Sequence, residues 1–201
     1  MKVLFATTNL AKIKRYSCML KESGIELMTL FDIDAKVNFE EDGKDASENA
    51  KIKAKEYFEL TKLPVIGMDN TLFIEGIDES LQPGTHVRRI GGKTLNDDEM
   101  IDYYTGLVKR FNKNFNAMWM YGMAIYTENG IFTKTWSKGG FYFTDKVCKL
   151  RNPGYPLDSV TISSKYNKYL VELTSEEKNE IKGESNDVEV VNFILESLNK
   201  K

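Results

Sequence analysis

The sequence predicts an α/β protein, an elongated mixed sheet with flanking helices, on three observations. Apolar runs at 3–6 and 25–30 are each accompanied by a segment of helical periodicity, at 10–22 and 46–62. From 115 to 145 the pattern is instead that of strands, with "ENG" at 128–130 marking a hairpin turn. βα units followed by a long meander place parallel and antiparallel strands in one sheet. The 201 residues suffice for one substantial domain, in one body or two lobes, and contain no repeats or low-complexity linkers, so residues 1–201 are expected to form a single globular unit.

Taken in order, residues 2–7 read as a buried strand. The helix at 10–22 has Ile13, Tyr16, Met19 and Leu20 on one face and ends at Gly24, with Asn9 as its N-cap. A strand at 25–30 leads into the acidic loop "NFEEDGKD". The next helix, 46–62, has Ala50, Ala54, Tyr57 and Phe58 on one side. "PVIGMDNTLFIEGI" reads as two short apolar strands with Asp69, Asn70 and Thr71 between them, and "SLQPGTHVRRIGG" as a loop. Asn96 and Glu99 form a capping-box pattern that opens a helix to about residue 112. After the meander come the loop "RNPGYPLDS", a short strand pair, "LTSEEKNEI", and a final helix that includes Val190, Val191, Ile194 and Leu195.

The charge balance argues against a nucleic-acid binder: 28 basic side chains face 30 acidic ones, in a chain that is 41% hydrophobic. An anionic ligand must therefore be met by local placement of charge. Cys18 and Cys148 form no C-x-x-C pair and suggest neither a disulfide framework nor a thiolate zinc site. With no signal peptide and no apolar run approaching ~20 residues, the chain is expected to be cytoplasmic.

Three stretches carry chemistry. The turn Thr7-Thr8-Asn9 follows a strand and opens a helix, where backbone N–H groups and the helix dipole favour an anion, and Lys12 can reach the same place. It holds no glycine, so it is neither of the familiar glycine-rich phosphate loops. Lys53 lies beside the buried alanines of the second helix, one turn after Asn49, and must either snorkel to water or meet a charge. Asp69 follows an apolar strand, and with a carboxylate from Glu40, Glu41, Asp42 or Asp45 it can hold Mg²⁺, which takes one or two carboxylates together with phosphate oxygens. His86 reads as a loop residue, and Tyr103, Tyr104 and "MWMYGM" as packing.

The order of these pieces resembles the inosine triphosphate pyrophosphatase family. A strand ending in T-x-N-x-x-K is followed by E-x-G, E-N-A-x-x-K-A, a strand ending in Asp, a P-G loop with arginine, and E-E-K-N, from Val3 to about Ile181. The resemblance implies two lobes around a central cleft, usually in a homodimer, and Mg²⁺-dependent cleavage of the α–β phosphoanhydride of inosine, xanthosine and deoxyinosine triphosphates. It puts Thr8, Asn9 and Lys12 on the phosphates with Asn49, Lys53 and Lys178, makes Glu41 a metal ligand, and makes Asp69 the catalytic, metal-binding aspartate. Arg88 or Arg89 takes the basic position of the P-G loop, and Tyr155 and Asp158 fall in the base-reading segment.

The chain departs from the family pattern in several places. Met68 stands where a second acid precedes the aspartate, "DNTL" replaces D-S-G-L, and Arg15 replaces a glutamate. "NPGYPLDS" and "KGE" at 182–184 replace the segments that read the purine. Phosphate and metal handling are thus expected to be kept and base preference altered. The alternative is a nucleotide-binding protein of the same fold that no longer turns over.

Overall fold

The computed structural model describes residues 1–33, 41–181 and 187–200. Its elements in chain order are β1 (Lys2–Phe5), α1 (Leu10–Glu22), β2 (Glu26–Thr29), α2 (Ala46–Thr61), β3 (Val65–Ile74), β4 (Arg89–Ile90), β5 (Lys93–Thr94) and α3 (Asp97–Phe111). They continue with β6 (Phe115–Thr127), β7 (Gly130–Phe143), β8 (Thr161–Ser163), α4 (Ser175–Glu180) and α5 (Asp187–Asn199). Six strands form one sheet in the order β2-β1-β3-β6-β7-β8, with β1 parallel to both β2 and β3 and β8 antiparallel to β7. This is the mixed α/β fold expected. Among the described residues no helix is long and apolar enough to cross a membrane, and Cys18 and Cys148 are both free thiols.

The chain divides into two compact units. The first comprises Met1–Asn70, Tyr121–Trp136 and Ser185–Lys201. One of its cores joins Val3 and Phe5 of β1, Tyr16 and Leu20 of α1, Ile66 and Met68 of β3, and Val190, Val191 and Ile194 of α5. The alternate residues of β1, Leu4 and Ala6, face a second core with Ala50, Ala54 and Tyr57 of α2. Strands β1 and β3 are apolar on both faces because helices cover both. Gly67 is what lets α2 approach: a Cβ there would stand 2.2 Å from the Ala50 carbonyl oxygen.

The second unit comprises Thr71–Met120 and Ser137–Glu184. Its core gathers Leu72 and Ile74 of β3, Met100, Ile101, Tyr104 and Val108 of α3, Phe141 and Phe143 of β7, and Leu157 and Val160. The rings of Tyr104 and Phe143 stack at 5.2 Å. Helix α3 opens with the expected capping box, Asn96 accepting from the Glu99 N–H while the Glu99 carboxylate accepts from the Asn96 N–H.

Two expectations are corrected. "PVIGMDNTLFIEGI" is not two strands, because β3 runs unbroken from Val65 to Ile74 with Asp69 inside it. Asp-Asn-Thr lacks the glycine or proline that turns a chain, so the backbone stays extended and the polar residues mark where one unit's core ends and the other's begins. The loop over 80–92 carries an unforeseen small ladder, β4 against β5, closed by Gly91 and Gly92, both at positive φ.

Candidate active site

Strand β1 stops early. It pairs with β3 through Leu4–Val65 and Phe5–Ile66, so β3 continues beyond it, and the next backbone group on that edge is the Met68 carbonyl, before the bridge from Leu72 to Gly84. The turn that follows β1 is tied internally. The Thr7 hydroxyl accepts from the Asn9 N–H at 3.1 Å, and Asn9 Oδ1 accepts from the N–H groups of Ala11 and Lys12 at 2.9 and 3.3 Å. The N-cap expectation for Asn9 therefore holds, and it narrows the cradle. The Ala11 and Lys12 backbone N–H groups are already engaged, which among the described residues leaves the N–H groups of Thr8 and Leu10 and the Asn9 side-chain Nδ2 for an anion. Thr8 is exposed.

Lys12, half-buried in the first turn of α1, donates to the Met68 carbonyl at 3.4 Å, beside Asp69. Burial lowers its pKa to about 8, with Lys53 and Arg15 pushing the same way and Asp69 and Glu41 opposing. One ammonium thus feels both carboxylates and two other cations. Such a poised charge gains most from an added anion.

Helix α2 supplies the other wall. Its N-cap Asp45 accepts from the Glu48 N–H, so this acid is a cap. Asn49, 1% exposed, donates from Nδ2 to Asp69 Oδ2 at 2.9 Å and accepts at Oδ1 from the Gly43 N–H at 2.8 Å. Both ends of its amide are used within the chain, which makes it a holder of Asp69 rather than an open phosphate ligand. A Cβ at Gly43 would lie 2.6 Å from Asn49 Oδ1, so the acidic loop can approach this closely only with glycine there. Lys53 meets a charge instead of snorkelling out: its Nζ lies 3.3 Å from Glu41 Oε2.

The donor set suits magnesium. Among the described residues no group of three or more His, Cys, Asp and Glu converges, and a pair of carboxylates is a donor set that fits an ion taking one or two of them and completing its shell with phosphate and water. Glu41 and Asp69 are two carboxylates that both act on Lys12. Next to Asp69, the buried Asn70 Oδ1 has no hydrogen-bond partner among the described residues, which suits it to accept from water or a ligand. Glu40 lies outside the described residues.

The remaining sequence-derived residues belong to the second unit. Arg88 pairs with Asp97 at 2.8 Å and donates to the Leu95 carbonyl at 3.0 Å, while Arg89 is exposed at the start of β4. Tyr155 is half-buried in the turn Asn152–Tyr155, and Asp158 accepts from Asn152 Nδ2 at 3.0 Å. Lys178 lies on α4, whose Thr174 capping box and Lys168–Glu177 pair at 2.6 Å hold it in place. "KGE" at 182–184 lies outside the described residues. His86 is an exposed loop residue, as expected.

Sequence reasoning missed the parts that carry no charge: the Met68 carbonyl under Lys12, and Gly43 and Gly67. The E-x-G motif and a glycine inside an apolar strand were the signals for the two glycines. It also missed that Arg15 pairs with Asp187 at 2.6 Å, tying α1 to the start of α5. Met68, where the resemblance has a second acid, is a core side chain 2% exposed.

The family model described as the Ham1 family matches residues 3–187. A dITP/XTP pyrophosphatase of Leptospira interrogans is 40% identical over 97 residues, 48% of each chain, so that match spans about half the relative's length. A dITP/XTP pyrophosphatase of Aquifex aeolicus is 33% identical across 90% of each chain. The solved Ham1 protein of Staphylococcus aureus shares the fold, with a TM-score of 0.76 over 99% of this chain and 100% of its own, at 19% identity. The sequence pattern, the fold and these matches agree, and the chain belongs to the Ham1 family.

Proposed function

We propose that the protein is a Mg²⁺-dependent nucleoside triphosphate pyrophosphatase, with altered base preference, that hydrolyses the α–β phosphoanhydride of non-canonical nucleoside triphosphates to a nucleoside monophosphate and pyrophosphate. The observation that carries this reading is the convergence on Lys12 of Asp69, Glu41 and Lys53, with Asn49 bonded to Asp69. Lysines and open N–H groups are a triphosphate's partners, and paired carboxylates are those of the magnesium that travels with it. The names of the Leptospira and Aquifex relatives support the same activity.

In this reading Thr8, Asn9, Lys12 and Lys53 bind and orient the phosphates and offset the charge that develops on the leaving pyrophosphate. Asn49 fixes the Asp69 carboxylate, which takes the proton of the attacking water as its oxygen bonds to the α-phosphorus and the bridging P–O bond breaks. Glu41 and Asp69 would hold Mg²⁺, which supplies Lewis-acid polarisation of the phosphoryl group. Arg88 or Arg89, Tyr155, Asp158 and Lys178 are proposed for the rest of the nucleotide, and a cytoplasmic homodimer for the assembly, checked by sedimentation velocity.

The test is pyrophosphate release from dITP, ITP, XTP, GTP and ATP with Mg²⁺ and with EDTA. Mg²⁺-dependent release is expected, with little discrimination between ITP and GTP, since the segments that read the purine are replaced. Triphosphate binding with no release from any member of the panel would leave a binding protein of the same fold.

A further inference from the structure

We propose that Asp97 is a positioning residue for nucleoside recognition, an inference that rests on the pyrophosphatase reading above. One carboxylate at the start of α3 joins the loop that carries Arg88 and Arg89 to the turn that carries Tyr155. Its Oδ1 accepts from Arg88 Nη2 at 2.8 Å and its Oδ2 accepts from the Gly154 N–H at 3.3 Å. Both loops belong to the second unit, as does α3. The helix face that buries Ile101, Tyr104 and Val108 runs back to Asp97, at spacings of three or four residues. On that face Tyr104 donates its hydroxyl to the Val87 carbonyl at 3.0 Å. Helix α3 thus grips two consecutive loop residues, Val87 and Arg88, from one side.

Each loop is built to be held at this point. Arg88 is engaged at both terminal nitrogens, since Nη1 donates to the Leu95 carbonyl at 3.0 Å, and its own carbonyl accepts the Leu95 N–H at 2.8 Å. It closes the β4–β5 ladder and serves the loop rather than a ligand. In the turn Asn152–Tyr155, Pro153 and Gly154, the latter at φ 83°, take the central positions, and the Tyr155 N–H closes the turn on the Asn152 carbonyl at 2.9 Å. The Gly154 N–H has no part in that closure, and Asp97 takes it. Asp97, Asp98 and Glu99 all stand in the first turn of α3, where acids suit the helix dipole, and Glu99 completes the capping box. Asp97 does more, because its two oxygens face two different loops. At 38% and 44% exposure water screens the Arg88–Asp97 pair, so its contribution is direction rather than strength. A nucleoside that meets Tyr155 and the arginine loop needs the two placed together.

In the pyrophosphatase reading the phosphates fall to Lys12 and Lys53, so inorganic tripolyphosphate, which lacks a nucleoside, separates positioning from general damage. Steady-state kinetics with inosine triphosphate, and inhibition by tripolyphosphate, are measured with Mg²⁺ for wild type, Asp97→Ala, Asp97→Asn and Asp98→Ala. Asp97→Ala is expected to raise KM about 5-fold with kcat within about 2-fold, and to leave inhibition by tripolyphosphate unchanged, because the bonds lost place the nucleoside loops and none lies at the phosphates. Asp97→Asn keeps an acceptor for one loop and should fall between the two, and it carries the same comparison should Asp97→Ala fail to fold. Adding Arg88→Met to Asp97→Ala should change KM little further, since both act through one contact. Asp98→Ala removes the same charge from the same turn and is expected to match wild type. An unchanged KM in Asp97→Ala, an equal loss for tripolyphosphate, or an equal effect of Asp98→Ala would overturn the inference and leave the pyrophosphatase reading intact. A wild-type protein that releases no pyrophosphate from any triphosphate overturns both.

Discussion

Asn49 holds Asp69: its Nδ2 donates to Asp69 Oδ2 at 2.9 Å, while its Oδ1 takes the Gly43 N–H at 2.8 Å. A single buried amide thus sets the carboxylate at the centre of the site and the loop that carries Glu41. Its energetic role is that of a satisfied polar network, in which losing one partner leaves the others orphaned.

Asn49→Asp keeps the size of this side chain but replaces the donor with a second carboxylate against Asp69. Turnover is expected to fall about 10²-fold with little change in KM, because the damage is to the reacting group. Asn49→Ala should lose about 1–3 kcal/mol of stability from the unpaired Gly43 N–H and Asp69 oxygen. Steady-state kinetics and chemical denaturation check both outcomes. A large rise in KM with kcat preserved would instead make Asn49 a phosphate ligand.

Asp69→Asn retains shape and removes the charge. The expected result is a loss of turnover on the order of 10²-fold or more, since metal placement and proton acceptance both weaken. Triphosphate binding in EDTA should hold or improve, as repulsion from the phosphates is gone. Wild-type turnover in this variant would transfer the chemistry to another residue.

Lys12 gives the pH dependence. Its pKa is lowered to about 8 by burial, so the folded chain binds this proton less readily than the unfolded one, whose lysine titrates near 10.5. The charged ammonium therefore costs stability at full strength below about 8, and that cost fades as pH rises towards 10.5. Lys12→Met should melt higher than wild type at pH 7, with the gain vanishing at pH 10. A bound triphosphate favours the charged form, so binding in EDTA should take up protons near pH 8 and weaken as pH rises through that range. Titration in buffers of different ionisation enthalpy reads the uptake, which Lys12→Met should abolish.

Gly67 and Gly106 predict opposite signs for one substitution. At Gly67 a Cβ would meet the Ala50 oxygen at 2.2 Å and the Ala54 nitrogen at 2.9 Å, so Gly67→Ala should cost about 1–3 kcal/mol and, by lifting α2 from β3, lower turnover as well. At Gly106 on α3 a Cβ would meet nothing within 4 Å, and Gly106→Ala should stabilise the chain by about 0.5–1 kcal/mol, leaving turnover unchanged. Thermal melts of the two variants decide it.

Much of the fold was legible because local patterns dictate it. The period of Ile13, Tyr16, Met19 and Leu20 produced α1, the capping box produced α3, and Glu128-Asn129-Gly130 turned β6 into β7. Each signal lies within one element, where propensity and burial agree. The chemistry of the site was legible for a similar reason, since charged residues at the ends of apolar runs are conspicuous in any sequence. What the sequence by itself determined was therefore which elements form and which side chains stand out as candidates. The tertiary structure alone decided their partners. Lys53 could have reached water or a charge, and the return of the loop before α2 gave it Glu41. Asn49 read as a phosphate ligand, and the packing of α2 on Gly67 turned it to Asp69. Asp69 itself read as a strand end, and it owes its place to the shortness of β1 rather than to any break in β3. Pairings of this kind join residues distant along the chain, and no local propensity encodes them, because they exist only once burial has brought the elements together.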